Sequence, residues 1–217
     1  MRERNEVVAQ IRNLGVVAIV RADTGDEALA AARAVREGGL RAIEVTFTVP
    51  GAAEIIRRLA EEMGDEILLG AGTVLTADQA REAVAAGAEY LIAPDTDPEV
   101  IAEAHRLGRP IFPGAFSPSE VARAWKLGAD LIKLFPAARL GPAYLKDLRG
   151  PFPQIPLVPV GGVDASNCAD YFRNGAVAIG VGGKLVDRAL LREGRYDEIT
   201  RRARELAAAV QVARQSG

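Results

Sequence analysis

The sequence predicts an α/β protein, a single (β/α)8 barrel of the TIM type with an extra N-terminal helix. Three observations predict it. Short apolar runs begin near Val16, Leu40, Ile67, Tyr90, Pro110, Leu131, Pro156 and Ala176, roughly 20 to 27 residues apart, the length of one strand–loop–helix unit. The runs are rich in Val, Ile and Leu, as parallel strands covered on both faces are. Polar residues and glycines recur at the ends of nearly all eight runs. A barrel gathers those ends in one mouth, whereas a doubly wound sheet, which fits the same periodicity, disperses them.

The elements follow in order. Residues 2–14 form a charged amphipathic segment without the apolar core of a signal peptide. Residues 26–37 carry Ala, Leu and Val at helical spacing and stop at Gly38-Gly39. Thr76-Ala77-Asp78-Gln79 reads as a capping box, and its helix ends at Gly87. A further helix runs from Asp97-Pro98 to Leu107 and closes at Gly108. The next opens at Ser117-Pro118-Ser119-Glu120, with proline in a favourable early position, and ends at Gly128. Residues 196–212 are the last amphipathic stretch. No linker, low-complexity stretch or charge run divides residues 1–217, which implies one domain.

Composition excludes several function classes. The chain is 49% hydrophobic and 26% charged, ordinary for a soluble protein. A net charge of -2 supplies no field to attract nucleic acid. Apolar runs such as residues 16–20 are too short to span a bilayer. A cytoplasmic protein with no nucleic-acid or membrane partner is expected. The only cysteine, Cys168, precludes an intrachain disulfide. One cysteine and one histidine cannot build a Cys/His metal cluster. A Ser-His-Asp triad would need His105, which lies mid-helix and reads as a solvated helix residue.

Lysine is scarce, with four (Lys126, Lys133, Lys146 and Lys184) among 27 basic residues. Lys133 alone lies within an apolar run, Asp130 to Pro136. Strand parity puts Leu131, Lys133 and Phe135 on one face, and the helix-facing side of a barrel strand is apolar, so Lys133 is expected inside the barrel. A desolvated amine is more often neutral and can attack a carbonyl to form an imine. The competing reading is an unreactive buried ion pair. The second predicted strand, Arg41 to Phe47, carries Glu44 in an equally apolar setting, with Thr46 on the same face. Burying a carboxylate is costly unless it is paired or functional. Glu44 is therefore either an acid–base group beside the amine or its neutralising partner.

Other strand ends complete a candidate site. Gly70-Ala71-Gly72-Thr73 leaves room in the mouth, and the Thr73 hydroxyl can bond a carboxylate or keto oxygen. Arg21, with the parity of Val17 and Ile19, either forks onto a substrate carboxylate or is a surface arginine. The last two strands end in Val160-Gly161-Gly162-Val163 and Gly180-Val181-Gly182-Gly183-Lys184. Bare backbone there can approach an anion, and these loops often bind phosphate in this fold.

Taken together, Ile43-Glu44-Val45-Thr46, Gly70-Ala71-Gly72-Thr73-Val74, Phe112-Pro113-Gly114, Ile132-Lys133-Leu134-Phe135-Pro136-Ala137 and Val160-Gly161-Gly162-Val163 resemble the KDPG/KHG aldolase family, in order and over nearly the whole chain. KDPG is 2-keto-3-deoxy-6-phosphogluconate and KHG is 4-hydroxy-2-oxoglutarate. The resemblance implies a class I aldolase, a carbon–carbon lyase that makes pyruvate and glyceraldehyde 3-phosphate. It implies Lys133 as the Schiff-base lysine and Glu44 as the general acid–base. Thr73 corresponds to a pyruvate contact, and Phe135 and Pro94 to pocket-lining positions. Gly161 and Gly162 correspond to the phosphate loop, with Gly182 and Gly183 near its second half. The family is typically a metal-free homotrimer, so the resemblance implies no metal and no cofactor.

The chain departs from the family pattern in three places. Phe47-Thr48-Val49-Pro50 lacks the carboxylate-binding arginine of many members; the resemblance to related members with an arginine after the first strand implies that Arg21 can take over that duty. Val160 replaces a threonine, as in the galactonate-type branch. Gly183 replaces a phosphate-binding serine, with Lys184 beside it as a point charge. Two other readings stand beside the aldolase. One is a phosphate-binding isomerase or decarboxylase using Glu44 as base without an imine. The other is a catalytically silent oligomeric scaffold, which the buried Glu44 and Lys133 argue against.

Overall fold

The computed structural model describes residues 2–215. In chain order the elements are α1 (Arg4–Leu14), β1 (Val16–Val20), α2 (Gly25–Glu37), β2 (Ala42–Thr46), α3 (Ala52–Met63), β3 (Leu68–Gly72), α4 (Ala77–Ala85), β4 (Tyr90–Ile92), α5 (Pro98–Arg106), β5 (Ile111–Phe112) and β6 (Gly114–Ala115). They continue as α6 (Pro118–Lys126), β7 (Ile132–Leu134), α7 (Ala137–Leu140), α8 (Pro142–Arg149), β8 (Leu157–Pro159), α9 (Cys168–Arg173), β9 (Ile179–Val181), α10 (Arg188–Arg192) and α11 (Tyr196–Gln215).

All named strand pairs are parallel. Six strands form one curled sheet in the order β5-β4-β3-β2-β1-β9, and β6-β7-β8 form a second. The sequence leads one to expect eight strands, but the fifth run is divided at Pro113, which has no N–H to donate to a ladder. Its carbonyl still accepts from Lys133 N–H, at 3.0 Å. At the other edge a single parallel bridge joins Val160 to Gly180, linking β8 to β9.

Alternate residues of the strands point to opposite sides. One set, including Val16, Ala18, Ile43, Val45, Leu69 and Ile132, packs against the helices in the larger core. The other, including Val17, Ile19, Ala42, Leu68, Tyr90, Phe112, Leu131 and Val158, forms a second core inside the curl of strands. Val7 and Ile11 of α1 join that inner core. The additional N-terminal helix thus closes one end of it, leaving the opposite end for chemistry.

Local signals explain several boundaries. Ser117 and Glu120 form the full capping box at α6. At α4, Thr76 caps as expected, but Gln79 accepts instead from Leu75 N–H, one residue before the cap. A second full box, Thr24 with Glu27, begins α2 slightly earlier than its periodicity indicates. No side-chain cap marks α3, whose N-cap is Gly51 in the left-handed region, and so its start carries no Ser/Thr/Asp signature. His105 is not the solvated side chain its helical position suggests. It is half-buried, and its Nε2 lies 3.0 Å from Arg4 Nη2, where it helps to seat α1.

Candidate active site

The site is built from small strand residues that leave space for large polar ones. Glu44 on β2 is in register with Ile19 on one side and Gly70 on the other. Its carboxylate leans over β3, with Oε1 only 1.6 Å from where a Cβ on Gly72 would sit. Only glycine at position 72 permits that placement. Lys133 on β7 is in register with Gly114 and Val158, so one flank again carries no side chain. The amine lies 5.0 Å from the centre of the Phe135 ring.

Both ionisable groups are removed from solvent, Glu44 at 1% and Lys133 at 6% exposure. Among the described residues neither is engaged in an ion pair within 4.0 Å, and Glu44 Oε2 has no hydrogen-bond partner. The two groups interact electrostatically without a direct contact. Burial pushes the Lys133 amine below the usual lysine range; the Glu44 charge opposes this shift and Arg21 reinforces it. Burial pushes the Glu44 carboxyl up, and Lys133 and Arg21 pull it back. Each group is thus held nearer its other protonation state than it would be in water.

One cavity of about 680 Å³ opens at this end of the inner core. Arg21, Glu44, Thr73, Pro94, Lys133 and Phe135 line it. Val160, Gly161, Gly162, Gly182 and Gly183 line it as well, together with the exposed Lys184. The residues the sequence assigns to catalysis and substrate binding thus meet in one place. Arg21 is exposed and makes no ion pair or hydrogen bond among the described residues. Thr73 is the only non-glycine residue described with positive φ, at 56°. A threonine held there is strained, and such strain gathers at functional sites. Gly161 and Gly162 also take positive φ, at 96° and 77°, leaving unshielded backbone on the cavity wall.

Thr48, Val186, Asp187 and Arg188 line the cavity too, without having been singled out. Thr48 accepts or donates in a 2.7 Å contact with Thr46 Oγ1. Arg188 opens α10, beyond the last strand, where no strand-parity argument reaches it. Among the described residues no group of three or more His, Cys, Asp or Glu side chains is placed to hold a metal ion. None of the described helices is long and apolar enough to cross a membrane.

The family model for KDPG and KHG aldolase matches residues 7–202. A 2-dehydro-3-deoxy-phosphogluconate aldolase of Treponema pallidum is 37% identical over 196 residues, 90% of this chain and 91% of its own. A 2-dehydro-3-deoxy-6-phosphogalactonate aldolase of Escherichia coli is 33% identical over 204 residues, 94% of this chain and 96% of its own. A KDPG aldolase of Legionella pneumophila, solved with pyruvate captured as a covalent carbinolamine, superposes with a TM-score of 0.84 at 30% identity, covering 92% of this chain and 97% of its own. With a family model spanning most of its length and relatives above 30% identity over nine-tenths of it, the chain belongs to the KDPG and KHG aldolase family.

Proposed function

We propose that this protein is a class I aldolase that cleaves 2-keto-3-deoxy-6-phosphogluconate to pyruvate and glyceraldehyde 3-phosphate, and that also accepts the galactonate epimer or 4-hydroxy-2-oxoglutarate. The observation that carries this reading is a buried amine without an ion-pair partner sharing one cavity with a buried carboxylate. The two sheets are read as one closed eight-stranded (β/α)8 barrel, in which β5 and β6 count as a single strand interrupted at Pro113. Residues 1–217 then make one domain. We read the protein as a cytoplasmic homotrimer, a reading to which the exposed Leu75 and Phe116 side chains lend apolar contact area.

The geometry supports the following course. Lys133 Nζ adds to the C2 ketone and water leaves, giving a protonated imine. Phe135 presents its ring to that developing cation. Glu44, through a water, takes the C4 hydroxyl proton. The C3–C4 bond breaks, its electrons pass into the iminium to give an enamine, and the aldehyde departs. Glu44 returns a proton to C3, and water hydrolyses the resulting pyruvate imine to free Lys133. Thr73 and Arg21 hold the keto acid, Pro94 and Val160 shape the pocket, and the glycine pairs 161–162 and 182–183 receive the phosphate with Lys184.

The test pairs two measurements. Pyruvate with borohydride is expected to leave one reduced adduct on Lys133. Lactate dehydrogenase coupling is expected to register pyruvate from the gluconate and galactonate epimers run side by side. Turnover of a phosphosugar without any adduct would support a non-imine isomerase or decarboxylase instead. Absence of both, with assemblies larger than a trimer, would support a scaffold.

Arg21 allows a sharper expectation. A forked, charge-assisted contact to a carboxylate contributes about 1.5–3 kcal/mol. Arg21→Leu is therefore expected to raise KM for the keto acid about ten- to a hundred-fold, with kcat less affected. An unchanged KM in steady-state assays would return Arg21 to the surface.

A further inference from the structure

Two buried polar atoms within the inner core lack partners, and they are neighbours. Glu44 Oε2 and the Tyr90 hydroxyl are both buried without a hydrogen bond. Tyr90 begins β4 and is in register with Gly70, which is in register with Glu44. Its ring crosses Gly70, and the ring carbon bearing the hydroxyl lies 2.3 Å from where a Gly70 Cβ would sit. The Glu44 carboxylate crosses Gly72 on the same strand. Residues 70 and 72 point to the same face and are separated by roughly 7 Å along a strand. The phenol from β4 and the carboxylate from β2 thus converge over a stretch of β3 that carries no side chains. They do not bond directly but are electrostatically coupled, and one water between them would satisfy both.

We propose that Tyr90 is a positioning residue for the general acid–base: its hydroxyl donates, through one water lying over Gly70 and Gly72, to Oε2 of Glu44. This rests on the aldolase reading of Glu44. The bridge fixes one carboxylate oxygen and leaves the other to exchange protons with substrate. The stack of Tyr90 on Phe112, with centroids 5.6 Å apart, holds the ring in place. Burial, Glu44 and Glu89 keep the phenol protonated well beyond the working pH range, so it acts only as a donor toward a carboxylate.

The groups that face Glu44 are Lys133 from β7, Arg21 after β1 and Tyr90 from β4; β3 contributes only glycines. A donor to the ionised carboxylate favours that form. Removing the donor therefore moves Glu44 protonation, and the acidic limb of the rate profile, to higher pH. Tyr90→Phe keeps the ring and its stack while deleting only the hydroxyl. Its acidic limb for pyruvate methyl-proton exchange is expected to move up by about one unit, a roughly tenfold loss of rate at the acidic foot. KM and borohydride capture at Lys133 are expected to hold. The infrared band of the protonated Glu44 carboxyl, assigned by its loss in Glu44→Gln, is expected to persist to correspondingly higher pH. Superimposable rate profiles and carboxyl titrations would overturn the assignment. Loss of borohydride capture in the unsubstituted protein would instead overturn the aldolase reading, so the two failures are distinct.

Discussion

Lys133→Met is expected to abolish covalent capture of pyruvate while the protein stays folded. Methionine has similar length and no amine, so it fills the same space between Gly114 and Val158 without a nucleophile. Loss of a covalent nucleophile costs at least about 10⁴-fold in kcat. Stability is not expected to suffer. The amine sits at 6% exposure and has no ion-pair partner within 4.0 Å, so its removal breaks no salt bridge. Glu44 would lose the attraction of Lys133, and its carboxyl would move further up and become neutral rather than remain a lone buried charge. Intact mass after borohydride should show one adduct in the parent protein and none in the variant, with melting temperature equal or higher. In the parent, the capture rate should climb with pH through an amine pKa below the usual lysine range, because only the neutral amine attacks. A variant that still acquires the adduct would move the nucleophile to another lysine.

What the sequence makes legible depends on how local the determinant is. Strand parity suffices to turn Lys133 and Glu44 inward, because a buried charge in an apolar run has few places to point. Glycines at the strand ends mark the mouth for the same reason. Ser117 and Glu120 announce α6 within four residues. The partnership of Tyr90 with Glu44 is of another kind. It needs the register of three strands and the knowledge that Gly70 and Gly72 leave their faces bare, and neither is written within one segment. The strained backbone of Thr73 and the arrival of Arg188 at the rim are likewise products of assembly. Pro113 was visible in the sequence, but its division of a strand depends on which N–H the ladder would have used. The role of His105 at α1 required two segments 101 residues apart to meet.

Glu44→Gln is expected to separate the two halves of the chemistry. The amide is nearly isosteric and fits over the bare face of Gly72 as the carboxylate does. It carries no charge and cannot exchange a proton near neutral pH. Lys133 then loses the negative neighbour that holds its pKa up, so the amine becomes more often neutral and pyruvate imine still forms, at the same rate or faster. Methyl-proton exchange of bound pyruvate should fall on the order of 10²–10⁴-fold, the usual contribution of one positioned proton-transfer group. The comparison to make is borohydride capture against deuterium wash-in at the pyruvate methyl group, measured on the same preparation. Capture with slow wash-in fits the assignment. Rapid wash-in would transfer the proton step to another group or to bulk water, and Glu44 would be left as an electrostatic partner of the imine.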